Sequence, residues 1–209
     1  MKFILTLLYA AVFATPNGAP KCTINENGIA AGMGSPNNPA LGYTITAAPS
    51  GNGMMSFTIG NTAGLSKFQG ILMYVTSGTD NLTHIGSFTL PDPAKYKFTD
   101  PAICSAAKIK GSPQSTLTHA APAPADFSKP IMWQASPQEM QLPNLAVNVV
   151  IAQKKNPSDQ FPQWQHLSNI PISFTGVAVA NGSGSGMGMG QMSLPNGVSR
   201  VLKCTPRNK

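Results

Sequence analysis

The chain has 209 residues, 42% of them hydrophobic and only 10% charged, and its 20 Gly and 19 Pro make nearly one residue in five a breaker of regular structure. Such a composition excludes helical bundles and coiled coils, which rest on long uninterrupted runs of Ala, Leu, Glu and Lys. The net charge of +7 is concentrated at the C-terminus, where Arg200, Lys203, Arg207 and Lys209 occur in the last ten residues with no acid among them, while Lys108/Lys110 and Lys154/Lys155 are no more than solvated pairs. No stripe of basic residues is interleaved with aromatics, which removes nucleic acid as a partner.

Met1-Lys2 precedes an apolar run from Phe3 to Ala14, and Thr15-Pro16-Asn17-Gly18 follows it. A basic start, a short apolar stretch and small residues at its end form a secretory signal peptide over residues 1–14, cut after Ala14. The run falls short of the roughly 20 residues that a bilayer span needs, and no later run supplies a transmembrane segment. Residues 15–41 carry the cluster Gly32-Met33-Gly34-Ser35-Pro36-Asn37-Asn38-Pro39, read as an extended, flexible lead-in.

From Tyr43 the pattern alternates every second residue. Tyr43, Ile45 and Ala47 share one side, Met55, Phe57 and Ile59 another, and Ser50-Gly51-Asn52-Gly53 turns the chain between two half-buried strands. Phe68 to Val75 is apolar almost throughout, as in a central strand covered on both faces. Further strands are expected at Ile85–Leu90, Ser115–His119, Ile131–Ala135 and Leu145–Gln153. About seven short strands separated by turn signals, without a helical period, predict an all-β antiparallel sandwich over residues 42–176. Residues 177–209 read as a Gly/Met-rich linker and a disordered basic tail, since Gly-rich runs lose too much entropy on ordering.

The acids offer little to catalysis: Glu26, Asp80, Asp92, Asp100, Asp126, Glu139 and Asp159 all fall in predicted loops or turns, where carboxylates cap and solvate. His84, His119 and His166 lie in different predicted elements. Met187, Met189 and Met192 place three soft thioethers close together, a set suited to Cu(I). Trp133 alternates in phase with Ile131 and Ala135 and is expected in the core, whereas Trp164 follows Phe161-Pro162-Gln163 where a ring can be exposed to a ligand. Asn81-Leu82-Thr83 and Asn181-Gly182-Ser183 are sequons for N-glycosylation of a secreted glycoprotein. Cys22, Cys104 and Cys204 form no CxxC pair, and in an oxidising compartment one of the three is left over.

Six segments taken in order, Phe68-Gln69-Gly70-Ile71-Leu72-Met73-Tyr74, Ile85-Gly86-Ser87-Phe88, Ile103-Cys104, Leu117-Thr118-His119-Ala120, Ile131-Met132-Trp133-Gln134-Ala135-Ser136-Pro137 and Val147-Asn148-Val149-Val150-Ile151-Ala152-Gln153, carry a resemblance. In order and spacing they resemble the reeler (reelin-type) domain over roughly residues 40–165. The resemblance implies an immunoglobulin-like sandwich in an extracellular protein and no catalytic residues. The chain departs from the family in lacking a second cysteine pair in the later strands and in ending with the Gly/Met linker and basic tail rather than further domains. His119 falls on the family's Thr-His position, where it is read as a structural histidine with ligand contact as the alternative.

The resemblance also implies a disulfide between Cys22, ahead of the first strand, and Cys104, after the Ile85-Gly86-Ser87-Phe88 hairpin. Cys204, following the linker, is then free or available for an intermolecular bond. The function expected from all of this is a secreted, non-catalytic binding or surface module without a cofactor, its partner an extracellular glycan, a cell wall or a protein. The alternative is an extracellular copper-handling or redox accessory protein that uses the Met-rich tail.

Overall fold

Alternation is what the first hairpin is built on. In the computed structural model, which describes residues 18–78, 80–120, 125–126, 129–153, 162–174 and 179–181, strand β1 (Tyr43–Gly51) pairs antiparallel with β2 (Met54–Asn61). Ile45 stands opposite Ile59 and Ala47 opposite Phe57, all four buried. The turn between them places Asn52 (φ 51°) and Gly53 (φ 75°) in the left-handed region, the conformation a tight hairpin needs. A Cβ on Gly53 would come within 2.7 Å of the Ala135 carbonyl.

The remaining strands are β3 (Lys67–Phe68), β4 (Gly70–Ser77), β5 (Ser87–Thr89), β6 (Tyr96–Phe98), β7 (Thr116–His119), β8 (Ala125–Asp126), β9 (Ile131–Gln134), β10 (Leu145–Gln153), β11 (Gln163–Pro171) and β12 (Val179–Asn181). They form two five-stranded antiparallel sheets, ordered β12-β1-β2-β9-β5 and β11-β10-β4-β7-β6, with β3 and β8 as a small separate pair. Between the sheets lies one core, to which Ile45, Phe57, Met73, Val149, Leu117 and Trp133 contribute. The all-β, immunoglobulin-like sandwich expected from the sequence is the fold observed.

The near-continuous apolar run of β4 has a specific cause. Ile71, Met73 and Val75 face the inner core, yet Leu72 and Tyr74 on the opposite face are also buried. On β10, Val147, Val149 and Ile151 point inward, while Val150 and Ala152 join Trp164 of β11 in a second apolar cluster on the outer face. What covers that outer face is the segment before β1.

Here the expectation of an extended lead-in over 15–41 is corrected. Glu26–Met33 forms a two-turn helix, α1, capped at one end by the Asn25 side chain accepting from Gly28 N–H and at the other by Gly34 in the left-handed conformation. Its Ile29, Ala30 and Met33, with Ile24 ahead of it, pack on Val150, Ala152 and Trp164. Packing on this apolar face holds a helix too short and Gly-rich to persist alone. Residues 18–41 thus act as a strap across the second sheet: Ala19 N–H bonds Thr118 Oγ1 on β7, Ile24 N–H bonds Tyr74 Oη on β4, and Asn38 N–H bonds the Trp164 carbonyl on β11.

Three further differences concern the later chain. Residues 163–171, where the sequence pattern predicts no full strand, form the nine-residue edge strand β11. Val179–Asn181, expected beyond the sandwich in the linker, pair with Ala47, Thr46 and Ile45 of β1. Cys104 lies in a second short helix, α2 (Pro101–Ala106), whose N-cap Asp100 accepts from Ala102 N–H.

Candidate functional site

The strap is fastened by a disulfide between Cys22 and Cys104, Cα atoms 5.0 Å apart, closing a sequence separation of 82 residues. Cys22 is 1% exposed. Its sulfur sits 3.5 Å from the hydroxyl of Thr116, which in turn shares a 2.6 Å hydrogen bond with His84 Nδ1. The His84 ring stacks on Tyr74 at a centroid distance of 4.0 Å and an interplanar angle of 7°. Disulfide, threonine, histidine and tyrosine therefore form one buried chain of contacts under the strap.

Burial fixes the charge state of this chain. It pushes the Tyr74 hydroxyl up, against the opposing hydrogen bond from Ile24 N–H. It brings His84 down to about 4, against the pull of the Asp80 carboxylate and the Asn81 carbonyl, which favour the cation. His84 Nε2 has no partner in hydrogen-bonding geometry, so a proton placed there would be buried with only the weak pull of the Asp80 carboxylate and the Asn81 carbonyl to offset its desolvation. A neutral, enclosed histidine of this kind serves as a packing and hydrogen-bonding group.

His119 and His166 each join two elements of the fold. His119 Nδ1 lies 3.3 Å from the Ile71 N–H, which donates to it, and its backbone pairs with Tyr96. His166 Nδ1 meets Glu26 Oε1 at 2.6 Å, tying α1 to β11. Glu139 joins Ser136 in a reciprocal cap of the short helical turn that follows, each side chain accepting the other's backbone N–H, and also accepts from Gly86 N–H. Burial alone would raise the Glu139 carboxyl, but the hydrogen bonds from Ser136 and Gly86 outweigh it and hold the group below its ordinary value. The Ser136-Pro137-Gln138-Glu139 spacing is a capping-box signal that was readable in advance.

The two tryptophans part company with expectation at one point. Trp133 is 1% exposed, donates Nε1–H to the Ile85 carbonyl at 2.9 Å and lies against Phe57 and Phe174, as expected of a core residue. Trp164 is corrected: rather than offering a ring to a ligand it is 0% exposed, with its outer face under α1 and Nε1–H donated to the Ser35 carbonyl at 2.8 Å. The strap that buries it is the segment whose composition predicts an extended lead-in.

A concave feature among the described residues lies elsewhere, at the end of the second sheet where β4 leaves and β10 begins. An open groove of about 420 Å³ runs between Asn81, Asn144 and Asn169 over Leu145, Ala146 and Pro171. Gly78 N–H donates to the Asn144 carbonyl and Ser77 Oγ to the Pro143 carbonyl, joining the two loops that flank it. Leu82 and Leu142, 54% and 37% exposed, are carried by the same two loops. Asn81 is thus a groove residue, whereas Asn181 stands opposite Ile45 in β12. Among the described residues no three His, Cys, Asp or Glu side chains come together as a metal-holding group. Met187, Met189, Met192 and Cys204 lie outside the described residues.

These features define an immunoglobulin-like antiparallel sandwich whose second sheet is overlaid by a disulfide-fastened N-terminal strap. No family model and no curated protein matches the chain. Solved structures similar to it include the human F-spondin reeler domain in two fragments, one at 14% identity and TM-score 0.40 over 59% of this chain and 90% of that one, the other at 13% and 0.38 over 59% and 86%. Another is the Reelin-N domain of F-spondin, at 14% identity and TM-score 0.38 over 59% and 83%.

Proposed function

We propose that the protein is a secreted, non-catalytic binding or surface module of reeler type. The observation that carries this reading is where its chemically capable side chains stand: His84, His119, His166, Glu139, Trp133 and Trp164 each hold one part of the sandwich to another. The apolar N-terminal run and the buried disulfide fit passage through an oxidising compartment. The working surface is then made of loops, which a rigid sandwich displays and which tolerate variation.

The test is retention of the full mature chain on arrays of glycans, microbial walls and extracellular proteins, with and without a chelator. Chelator-insensitive retention on one class of surface is expected. Saturable Cu(I) binding that is lost on replacing Met187, Met189 and Met192 by Leu, with no retention on any array, would overturn this reading in favour of copper handling.

A further inference from the structure

Beyond that reading, and resting on it only for passage through the secretory pathway, we propose that Asn81 carries an N-linked glycan whose first N-acetylglucosamine is seated in the groove formed by Asn81, Asn144 and Asn169. The groove is open to solvent, with a volume of about 420 Å³, and none of its lining residues is charged. An anionic or cationic ligand would find no countercharge there; a neutral one suits it.

The asparagines themselves point the same way. Asn25, Asn37, Asn38, Asn61 and Asn148 each use their side-chain amides inside the fold, as caps or as bonds to neighbouring strands. The side chains of Asn81, Asn144 and Asn169 are exposed and make no such bond among the described residues. Asn144 and Asn169 hold φ of 52° and 53°, a backbone conformation uncommon for residues other than Gly and tolerated best by Asn and Asp. Three uncommitted carboxamides therefore surround a floor of Leu145, Ala146 and Pro171.

A pyranose with an acetamido group matches that arrangement, offering neutral donors and acceptors at its edge and C–H groups on its face. The floor has no aromatic platform, so a free sugar would hold weakly. A sugar tethered at the groove's own rim gains the effective concentration that a free one lacks. Asn81 supplies the tether, being exposed, part of the groove and the first residue of Asn81-Leu82-Thr83. In the attachment step Nδ2 of Asn81 forms a bond to C1 of a lipid-diphosphate-linked oligosaccharide. The C1–O bond to the diphosphate breaks, the amide nitrogen loses one proton, and the lipid diphosphate leaves.

The experiment uses the full chain with Asn181→Gln, secreted from a eukaryotic host and compared in three forms: intact glycan, glycan trimmed by an endoglycosidase to one N-acetylglucosamine, and glycan removed. Occupancy of Asn81 is read by peptide mass spectrometry and the groove by amide hydrogen exchange across residues 142–146 and 168–170. Asn81 should be occupied, and the intact and trimmed forms should both exchange about threefold more slowly there than the stripped form. An unmodified Asn81 in secreted protein, or equal exchange in all three forms, overturns the proposal. Failure of export on the chain's own first residues would instead overturn the secretory reading, and the same variant behind a host leader then decides the glycan.

Discussion

Acidification provides a direct test of the buried contacts under the strap. His84 sits at about 4 against an ordinary value of 6.5, so the folded state resists a proton that the unfolded chain accepts. The depressed histidine leaves stability untouched above pH 6.5 and withdraws it as pH falls from 6.5 towards 4, because only the unfolded state gains the proton in that window. With 1.36 kcal/mol for each unit, the full loss is about 3 kcal/mol, and between pH 7.5 and 4.5 it is about 2.5 kcal/mol. Asp80 and Glu139, both held below their ordinary values, stabilise the fold above the carboxylate range and release that contribution only at lower pH. Urea unfolding at pH 7.5, 5.5 and 4.5 would measure the loss, alongside His84→Phe, which keeps a ring against Tyr74 but cannot take the proton. The variant should lose about 1 kcal/mol at pH 7.5 through the missing bond to Thr116 and show a flatter pH profile. Parallel profiles for the two proteins would refute the assignment of the acid sensitivity to His84.

Replacing Trp164 by Ala should destabilise the protein by about 3–5 kcal/mol through the lost burial and the cavity beneath α1, with hydrogen exchange of residues 26–33 rising most; a change below about 1 kcal/mol would return Trp164 to the surface. Gly86→Ala should destabilise by about 2 kcal/mol or more by overpacking and backbone strain, since φ is +68° and the new Cβ would lie 2.5 Å from the Gln134 carbonyl and the Trp133 ring; unchanged urea midpoints would contradict this. Replacing Cys22 and Cys104 together by Ala should remove about 4.5 kcal/mol, the chain-entropy value for a loop of this length, and non-reducing peptide maps of the parent protein should give a Cys22–Cys104 peptide rather than one containing Cys204.

The parts of the fold that were legible are those where burial on one face imposed a period of two. Tyr43-Thr44-Ile45-Thr46-Ala47 could be read residue by residue because its outer face is only half-buried. β11 escaped because its buried positions include Gln165, 1% exposed, whose amide bonds both the N–H and the carbonyl of Tyr43; a polar residue inside breaks the pattern that sequence reading relies on. α1 escaped because eight residues with two glycines carry little helical preference, and the apolar face that stabilises it comes from β10 and β11, far along the chain. Its caps, Asn25 and Gly34, were the local signal available. The groove had no such signal: Asn81, Asn144 and Asn169 meet only through the sheet's topology, and Asn81 alone stood out by its sequon.

The strap also alters what the last strand of the second sheet can do. β11 is nine residues long and lies at the sheet's border, the kind of element whose open backbone invites another chain to pair with it. Part of that border is already taken: Asn37 bridges Trp164 in parallel, Asn38 N–H bonds the Trp164 carbonyl, and His166 N–H bonds the Asn37 side chain. A chain cut at residue 42, where the strand pattern suggests the domain begins, would keep both sheets but expose this border beside an uncovered tryptophan. The failure expected of such a fragment is self-association along β11, since the glycine- and proline-rich lead-in occupies a border that would otherwise be open to another copy.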